Sequence, residues 1–226
     1  YYFFTYFLLK KEGPVSFSVP TGNFGDVYAG YLSKKMGLPI NKLIVATNKN
    51  AILHKAISNG RYEAETVSET ISPSMDIQVA SNFERLIYDL NNFNDVETRN
   101  IMKGIKEEGK YIIPKEKLEK IKKDFLSASM NEDEVIDTIK EVYEKHNIML
   151  DPHSAIGFGA LKKINIDGNN VVLATAHPSK FPDAIDKSIS IKPSLPKELM
   201  YVMNEKENYD IISNNLNKIK QYIKEK

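Results

Sequence analysis

With 226 residues and 42% hydrophobic content, the sequence is long enough to bury the core of one domain or two. Its 31 basic and 30 acidic residues are interspersed and leave a net charge of +1, so the clustered basic face of a nucleic-acid-binding protein is missing and a small-molecule partner is favoured. It contains no cysteine, which excludes disulfides and thiolate metal sites and is compatible with a reducing, cytoplasmic location.

Residues 1–9 form an apolar, aromatic run that is too short to span a bilayer. The run lacks the basic n-region and small-residue cleavage pattern of a secretory signal, so the chain reads as beginning inside a fold. Val15, Phe17 and Val19 then alternate with Ser16 and Ser18, the period of a strand. Val27, Tyr28, Tyr31, Leu32 and Met36 fall near helical spacing, and Gly37 with Pro39 supplies the stop. Between strand and helix lies Thr21-Gly22-Asn23-Phe24-Gly25-Asp26. Its glycines allow backbone N–H groups to converge at the positive end of the helix, an arrangement that binds anions and most often phosphate. A tight turn without any ligand is the other reading of the same glycines. Neither G-x-x-x-x-G-K-[ST] nor a full G-x-G-x-x-G is present, which argues against ATP and NAD.

Residues 42–47 are a continuous apolar run of the kind buried in a parallel sheet, completing a βαβ unit whose ligands sit beyond the carboxyl ends of the strands. Asn48 reads as the cap of a following helix that carries Ile52, Leu53, Ala56 and Ile57 and stops at Asn59-Gly60, with ligand contact as its second possible role. Residues 61–76 turn polar and predict an ordered loop leading to a helix over residues 79–90. No chemical role follows from the Ser72-Pro73-Ser74-Met75-Asp76 word itself.

From residue 95 to residue 146 the pattern is helical throughout, with one stripe of Leu118, Ile121 and Phe125 and another of Val135, Ile136, Ile139, Val142 and Tyr143. Asn131 and Glu134 have the spacing of a capping box, and the lysines between residues 115 and 123 read as a solvated face. Asp151 or Ser154 is suited to cap a helix whose first turn holds Pro152. Residues 171–175 form a second buried-type strand, which delivers Thr175 and His177 to the same rim as the glycine loop. One or two surface helices are expected over residues 196–226. The four histidines, His54, His146, His153 and His177, make no H-x-x-x-H or H-x-x-E-H pair, so no metal site is expected. His153 and His177 read as packed, hydrogen-bonded side chains rather than acids or bases.

The words VPTGNFGD, MGLPI, LIVATN, SPSMDI, DPHSAIG and TAHPSKFPDAI occur in this order, and in them the chain resembles the C-terminal half of threonine synthase. The resemblance implies an α/β fold of pyridoxal-phosphate fold type II (tryptophan synthase β-like), a parallel sheet flanked by helices with a helical insertion. It divides the chain into residues 1–60, the βαβ part with the phosphate loop; residues 61–150, mostly a helical insertion; and residues 151–226, a return to the cofactor domain with C-terminal helices. It further implies pyridoxal 5'-phosphate as cofactor, its phosphate held by Gly22, Asn23, Phe24, Gly25 and Asp26 and its ring nitrogen facing the Thr175 hydroxyl. Asp26 itself suits a helix cap, with only its N–H turned to the phosphate. The family's Schiff-base lysine has no counterpart among these residues and is expected upstream, with Lys180 the one lysine placed near the motifs. The implied reaction converts O-phosphohomoserine and water to threonine and phosphate. Two other readings stay open: a different enzyme of this fold such as threonine or serine dehydratase, and a non-catalytic relative that binds a phosphorylated ligand.

Overall fold

The structure is a computed structural model that describes residues 1–9 and 13–226. Residues 1–193 form one compact unit and residues 194–226 a second. In the first, helix α1 (Tyr2–Leu9) leads into strand β1 (Val15–Pro20), helix α2 (Gly25–Lys35), strand β2 (Ile40–Thr47) and helix α3 (Ile52–Asn59). After the short strand β3 (Arg61–Glu63) come helices α4 (Phe83–Leu90) and α5 (Asp95–Glu108), strand β4 (Lys110–Ile112) and helix α6 (Lys115–Asp124). Strand β5 (Phe125–Ser129), helices α7 (Glu132–His146) and α8 (Pro152–Ile164), strand β6 (Asn169–Val172) and helix α9 (Pro182–Ile189) complete the unit.

Four strands make one sheet in the order β5-β2-β1-β6, with every pair parallel. Phe17 lies opposite Leu43 on one side and Val171 on the other, and Leu43 opposite Phe125. These side chains are apolar on both faces of the strands because helices cover the sheet on both sides, as a parallel sheet requires. The pairing of the strands at Phe17 and Leu43 agrees with the sequence reading, and the architecture is the α/β class with a parallel sheet flanked by helices. Since all four strands point the same way, residues 20–22, 47–48, 129–130 and 173–175 follow their strands at a single carboxyl edge. Three backbone bonds extend the ladders into that edge: Thr21 N–H to the Ala46 carbonyl (2.8 Å), Met130 N–H to Thr47 (2.9 Å) and Leu173 N–H to Ser18 (3.0 Å).

Helix is not continuous from residue 95 to residue 146. Phe125 shares helical spacing with Leu118 and Ile121, but α6 stops at Asp124 and Phe125 opens β5, the edge strand paired with β2. Pairing with an available edge outweighs a local period that a five-residue segment can satisfy either way. Strand β4 is a second break, paired antiparallel with β3. The helix expected from residue 79 begins at Phe83, and the strand expected to reach Thr175 ends as a regular element at Val172.

Two expected caps hold and two do not. Asn131 and Glu134 form a reciprocal capping box on α7, and the Asp151 carboxylate accepts the N–H groups of His153 and Ser154 at the start of α8. Asp26 is not the cap of α2, because it lies inside the helix and Phe24 occupies the cap position without a side-chain bond. Asn48 does not cap α3, whose cap position is Ala51. In the second unit, residues 197–204 form a 3-10 stretch and helix α10 (Leu216–Glu225) follows, so Ile211 and Ile212 lie outside any helix. Among the described residues no helix is long and apolar enough to cross a membrane.

Candidate functional site

The loop after β1 is built so that its backbone stays open. Thr21 closes the strand by donating its hydroxyl to the Val19 carbonyl at 2.6 Å. Gly22 then passes so close to the loop at residues 72–76 that a Cβ placed on it would lie 2.8 Å from the Ser74 carbonyl oxygen. Only glycine fits there without moving backbone. The Asn23 carbonyl accepts from both the N–H and the side-chain amide of Asn82 at 3.1 Å, which ties the loop to the start of α4.

Phe24 adopts a left-handed conformation, φ 66°, which costs a side-chain-bearing residue roughly 1–2 kcal/mol. Its ring is 1% exposed and packs edge-on to Phe83 at 5.2 Å and against Phe125 at 5.7 Å. Burial of a phenyl group contributes about 2–3 kcal/mol, enough to hold that conformation. The consequence is a run of six N–H groups, residues 22–27, none of which donates to an acceptor among the described residues. They lead into the first turn of α2, where the helix dipole is positive.

The Asp26 side chain turns away from this run. Tyr2 donates its hydroxyl to the Asp26 carbonyl at 2.9 Å and to Oδ1 at 3.1 Å. Burial pushes the Asp26 carboxyl above its usual range, against the lowering effect of the Tyr2 bond, and burial likewise raises the Tyr2 phenol.

Asn48, beyond the end of β2, anchors the neighbouring loop. Its side-chain amide donates to the hydroxyls of Thr70 and Ser72 at 2.9 Å and to Asp76 Oδ1 at 2.7 Å. Asp76 also accepts from the Thr70 hydroxyl at 2.7 Å and the Asn50 side chain at 3.0 Å. The word Ser72-Pro73-Ser74-Met75-Asp76, to which the sequence assigned no role, is thus a rigid wall that brings Ser74 against Gly22.

On the other side, Thr175 stands just past β6, its N–H bonded to Ser154 Oγ at 3.1 Å. Ser154 in turn donates its hydroxyl to Asp151, a residue 1% exposed whose carboxylate also takes the His153 Nδ1 contact at 3.0 Å. Burial acts to raise the Asp151 carboxyl, but the bonds from His153 and Ser154 prevail and hold it below the usual carboxylate range. The Thr175 hydroxyl is exposed and has no partner among the described residues.

Two cavities open at this edge. One, of about 180 Å³, is lined by Pro20, Gly22, Ser74, Met75, His153, Thr175, Ala176, Lys180 and Phe181. The other, of about 470 Å³, is lined by Tyr1, Thr5, Asp26 and residues 171–175. Thr175 belongs to both, so the structure brings Gly22 and Thr175 together in one and Asp26 and Thr175 in the other. Asn23, Phe24 and Gly25 offer backbone rather than side chains to this edge. A larger cavity of about 640 Å³ is formed by α4 and α5, not by strand ends, and its Arg99 is already paired with Asp95. Sequence reasoning passed over Asp151 beyond its capping role, Ser154 as the support of Thr175, and His153. The signal for all three was their place in one word, DPHSAIG.

A family model described as "Threonine synthase, C-terminal" matches residues 154–223. The chain is 42% identical to a threonine synthase of Pseudomonas aeruginosa over 92% of this chain and 45% of that protein. It is 41% identical to the threonine synthase of Saccharomyces cerevisiae over 88% of this chain and 44% of that protein. Among solved structures, a PLP-bound threonine synthase from Brucella melitensis superposes with a TM-score of 0.91 at 42% identity, covering all of this chain and 49% of that one. Yeast threonine synthase superposes with a TM-score of 0.86 at 37% identity, over all of this chain and 50% of its own. The chain spans about half the length of the relatives it matches. In sequence and in structure, then, it belongs to the threonine synthase family and corresponds to the C-terminal part of its members.

Proposed function

We propose that this chain carries the phosphate and ring-nitrogen contacts of a pyridoxal-phosphate-dependent threonine synthase, a cytoplasmic lyase of amino-acid biosynthesis that converts O-phospho-L-homoserine and water to L-threonine and phosphate. The observation that carries the reading is the run of six open N–H donors, residues 22–27, at the positive end of α2. A phosphate monoester fits it: a dianion meets uncharged donors and a favourable dipole, and the Asp26 carboxylate is engaged by Tyr2 instead of opposing it. In this reading the N–H groups of Gly22, Asn23, Phe24, Gly25 and Asp26 hold the phosphate and the Thr175 hydroxyl meets the ring nitrogen.

Bound there, pyridoxal phosphate supplies the electron sink for carbanions formed at the substrate's Cα and Cβ. The residues of this chain orient it. Ser154, fixed by Asp151, holds Thr175 by its N–H and so anchors the backbone that carries the hydroxyl. Being uncharged, that hydroxyl leaves the ring nitrogen free to be neutral, where a carboxylate would hold it protonated.

The test is activity of the whole protein that carries this chain. It is expected to release inorganic phosphate from O-phospho-L-homoserine, with L-threonine as co-product, only when pyridoxal phosphate is present. Deamination of L-threonine or L-serine without any phosphate release would place it with the dehydratases instead.

A further inference from the structure

Helix α1 carries no charged residue, and the fold uses only one side of it. Tyr2 is its one buried residue, set edge-on to Phe17 with ring centres 4.9 Å apart and bonded to Asp26. Tyr6, one turn on, packs partly buried against the same core. The residues at the complementary helical spacing face water: Phe4, Phe7 and Leu8 are 73%, 67% and 65% exposed. An uncovered apolar face of this kind marks an interaction surface.

The two edges of the sheet differ as well. Strand β5 buries Phe125 and Ala128, whereas no residue of β6 is buried and no strand pairs with its outer side among the described residues. Leu173 donates its N–H to Ser18 across the β1 ladder, so by the period of two the N–H and carbonyl of Val172 face away from β1. Helix and strand adjoin, because Tyr1 and Thr5 border the same cavity of about 470 Å³ as residues 171–173. One continuous face therefore offers main-chain hydrogen bonds at the strand and apolar area at the helix, the combination that seats another polypeptide.

We infer that this face docks the N-terminal half of the threonine synthase fold, with an extended segment of that half pairing along β6 at Val172 and its apolar side chains covering Phe4, Phe7 and Leu8. Length identifies the occupant. The Pseudomonas aeruginosa and Brucella melitensis relatives match this chain over 45% and 49% of their own lengths, and the matching family model describes a C-terminal part. The remaining half of the family's polypeptide is as large as this chain, and the α1–β6 face is where the fold has left both its backbone and its apolar groups open to it. The inference rests on family membership and not on the phosphate loop.

The experiment uses the whole protein that carries this chain. Phe4→Cys and Leu8→Cys each place a thiol on α1, and peptide mass analysis locates the label after maleimide treatment. In the native protein both thiols should react about a hundredfold more slowly than in the same variant unfolded in guanidinium, and this protection should not change on dilution. Exposure to light of a variant with p-benzoylphenylalanine in place of Phe7 should cross-link α1 to a peptide from outside these 226 residues. In hydrogen exchange, the Val172 amide should be protected to the same degree as that of Leu173, whose bond to β1 is already made. Labelling of both thiols at the unfolded rate, a cross-link into a second copy of these residues, or free exchange at Val172 would each overturn the inference. Pyridoxal phosphate uptake enters none of these readouts, so the inference and the proposed function fail separately.

Discussion

Helices α2 and α8 both begin near the carboxyl edge of this sheet, and they treat their first N–H groups in opposite ways. At α8 the Asp151 carboxylate accepts the N–H of His153 and of Ser154, takes the Ser154 hydroxyl and the His153 ring as well, and is itself buried. At α2 the cap position is Phe24, whose side chain faces the core, and the donors before and inside the first turn have no acceptor among the described residues. The saturated terminus is tied into the scaffold, and the open one leaves the donors that the proposed function assigns to an anion. The acidic residues near the two termini diverge in the same sense. Asp151 has its carboxyl lowered by the bonds it receives, whereas Asp26 has its carboxyl raised by burial.

Asp151→Asn should break the saturated terminus and produce the largest effect. It replaces a charged acceptor of several buried donors, and the loss of cap and charge-assisted bonds is expected to cost about 3 kcal/mol in denaturant unfolding. The pH dependence follows from the lowered carboxyl. Its stabilising contribution is complete above the unfolded value of 3.8 and is lost as pH falls through the folded value below it, so the variant should lack that acid limb of the stability profile.

Gly22→Ala attacks the open terminus. The added Cβ would stand 2.8 Å from the Ser74 carbonyl, so the loop must shift and its donors lose their convergence. Pyridoxal phosphate affinity should fall by about tenfold or more, measured by fluorescence titration, while the sheet survives. Gly25→Val should act in the same direction but less strongly, because the Cβ would meet only the Asn82 amide, at 3.2 Å, and that side chain can give way. Thr175→Val should leave phosphate binding nearly intact and alter the absorbance of the bound cofactor through the lost ring-nitrogen contact.

The smallest effect is expected from Asp26→Asn. A carboxyl raised by burial contributes stability below its unfolded value of 3.8 that is lost as pH rises through the folded value, so the ionised form is a slight burden at neutral pH. The amide keeps an acceptor for Tyr2 and removes a negative charge near the donor run. Stability at pH 7 should rise slightly, with a modest gain in phosphate affinity. A loss on both counts would show that the Asp26 carboxylate does more than receive the Tyr2 bond.

Much of this site could be read from the sequence because its determinants are local. The alternation at Val15, Phe17 and Val19, the glycines at 22 and 25, and the Asn131–Glu134 and Asp151 caps each depend on residues a few positions apart. The misreadings share the opposite property. Asp26 looks like a cap in the sequence because its partner, Tyr2, lies 24 positions earlier, and Asn48 because its partners Thr70, Ser72 and Asp76 lie 22 to 28 positions later. Phe125 satisfied a helical stripe, and only its pairing opposite Leu43 makes it a strand residue. His153 resembled any packed histidine, since an unpartnered Nε2 is a matter of burial and neighbours that no spacing encodes.

The central claim, that the open N–H groups of residues 22–27 are reserved for a phosphate monoester, is tested most directly by comparing pyridoxal phosphate with pyridoxal. The two ligands share the ring and aldehyde and differ only in the group the loop is held to bind. Titration of the protein should give an affinity about a hundredfold higher for the phosphorylated form, equivalent to about 2.7 kcal/mol, and Gly22→Ala should erase most of that preference. Equal affinity for the two ligands, or a preference that Gly22→Ala leaves untouched, would contradict the account.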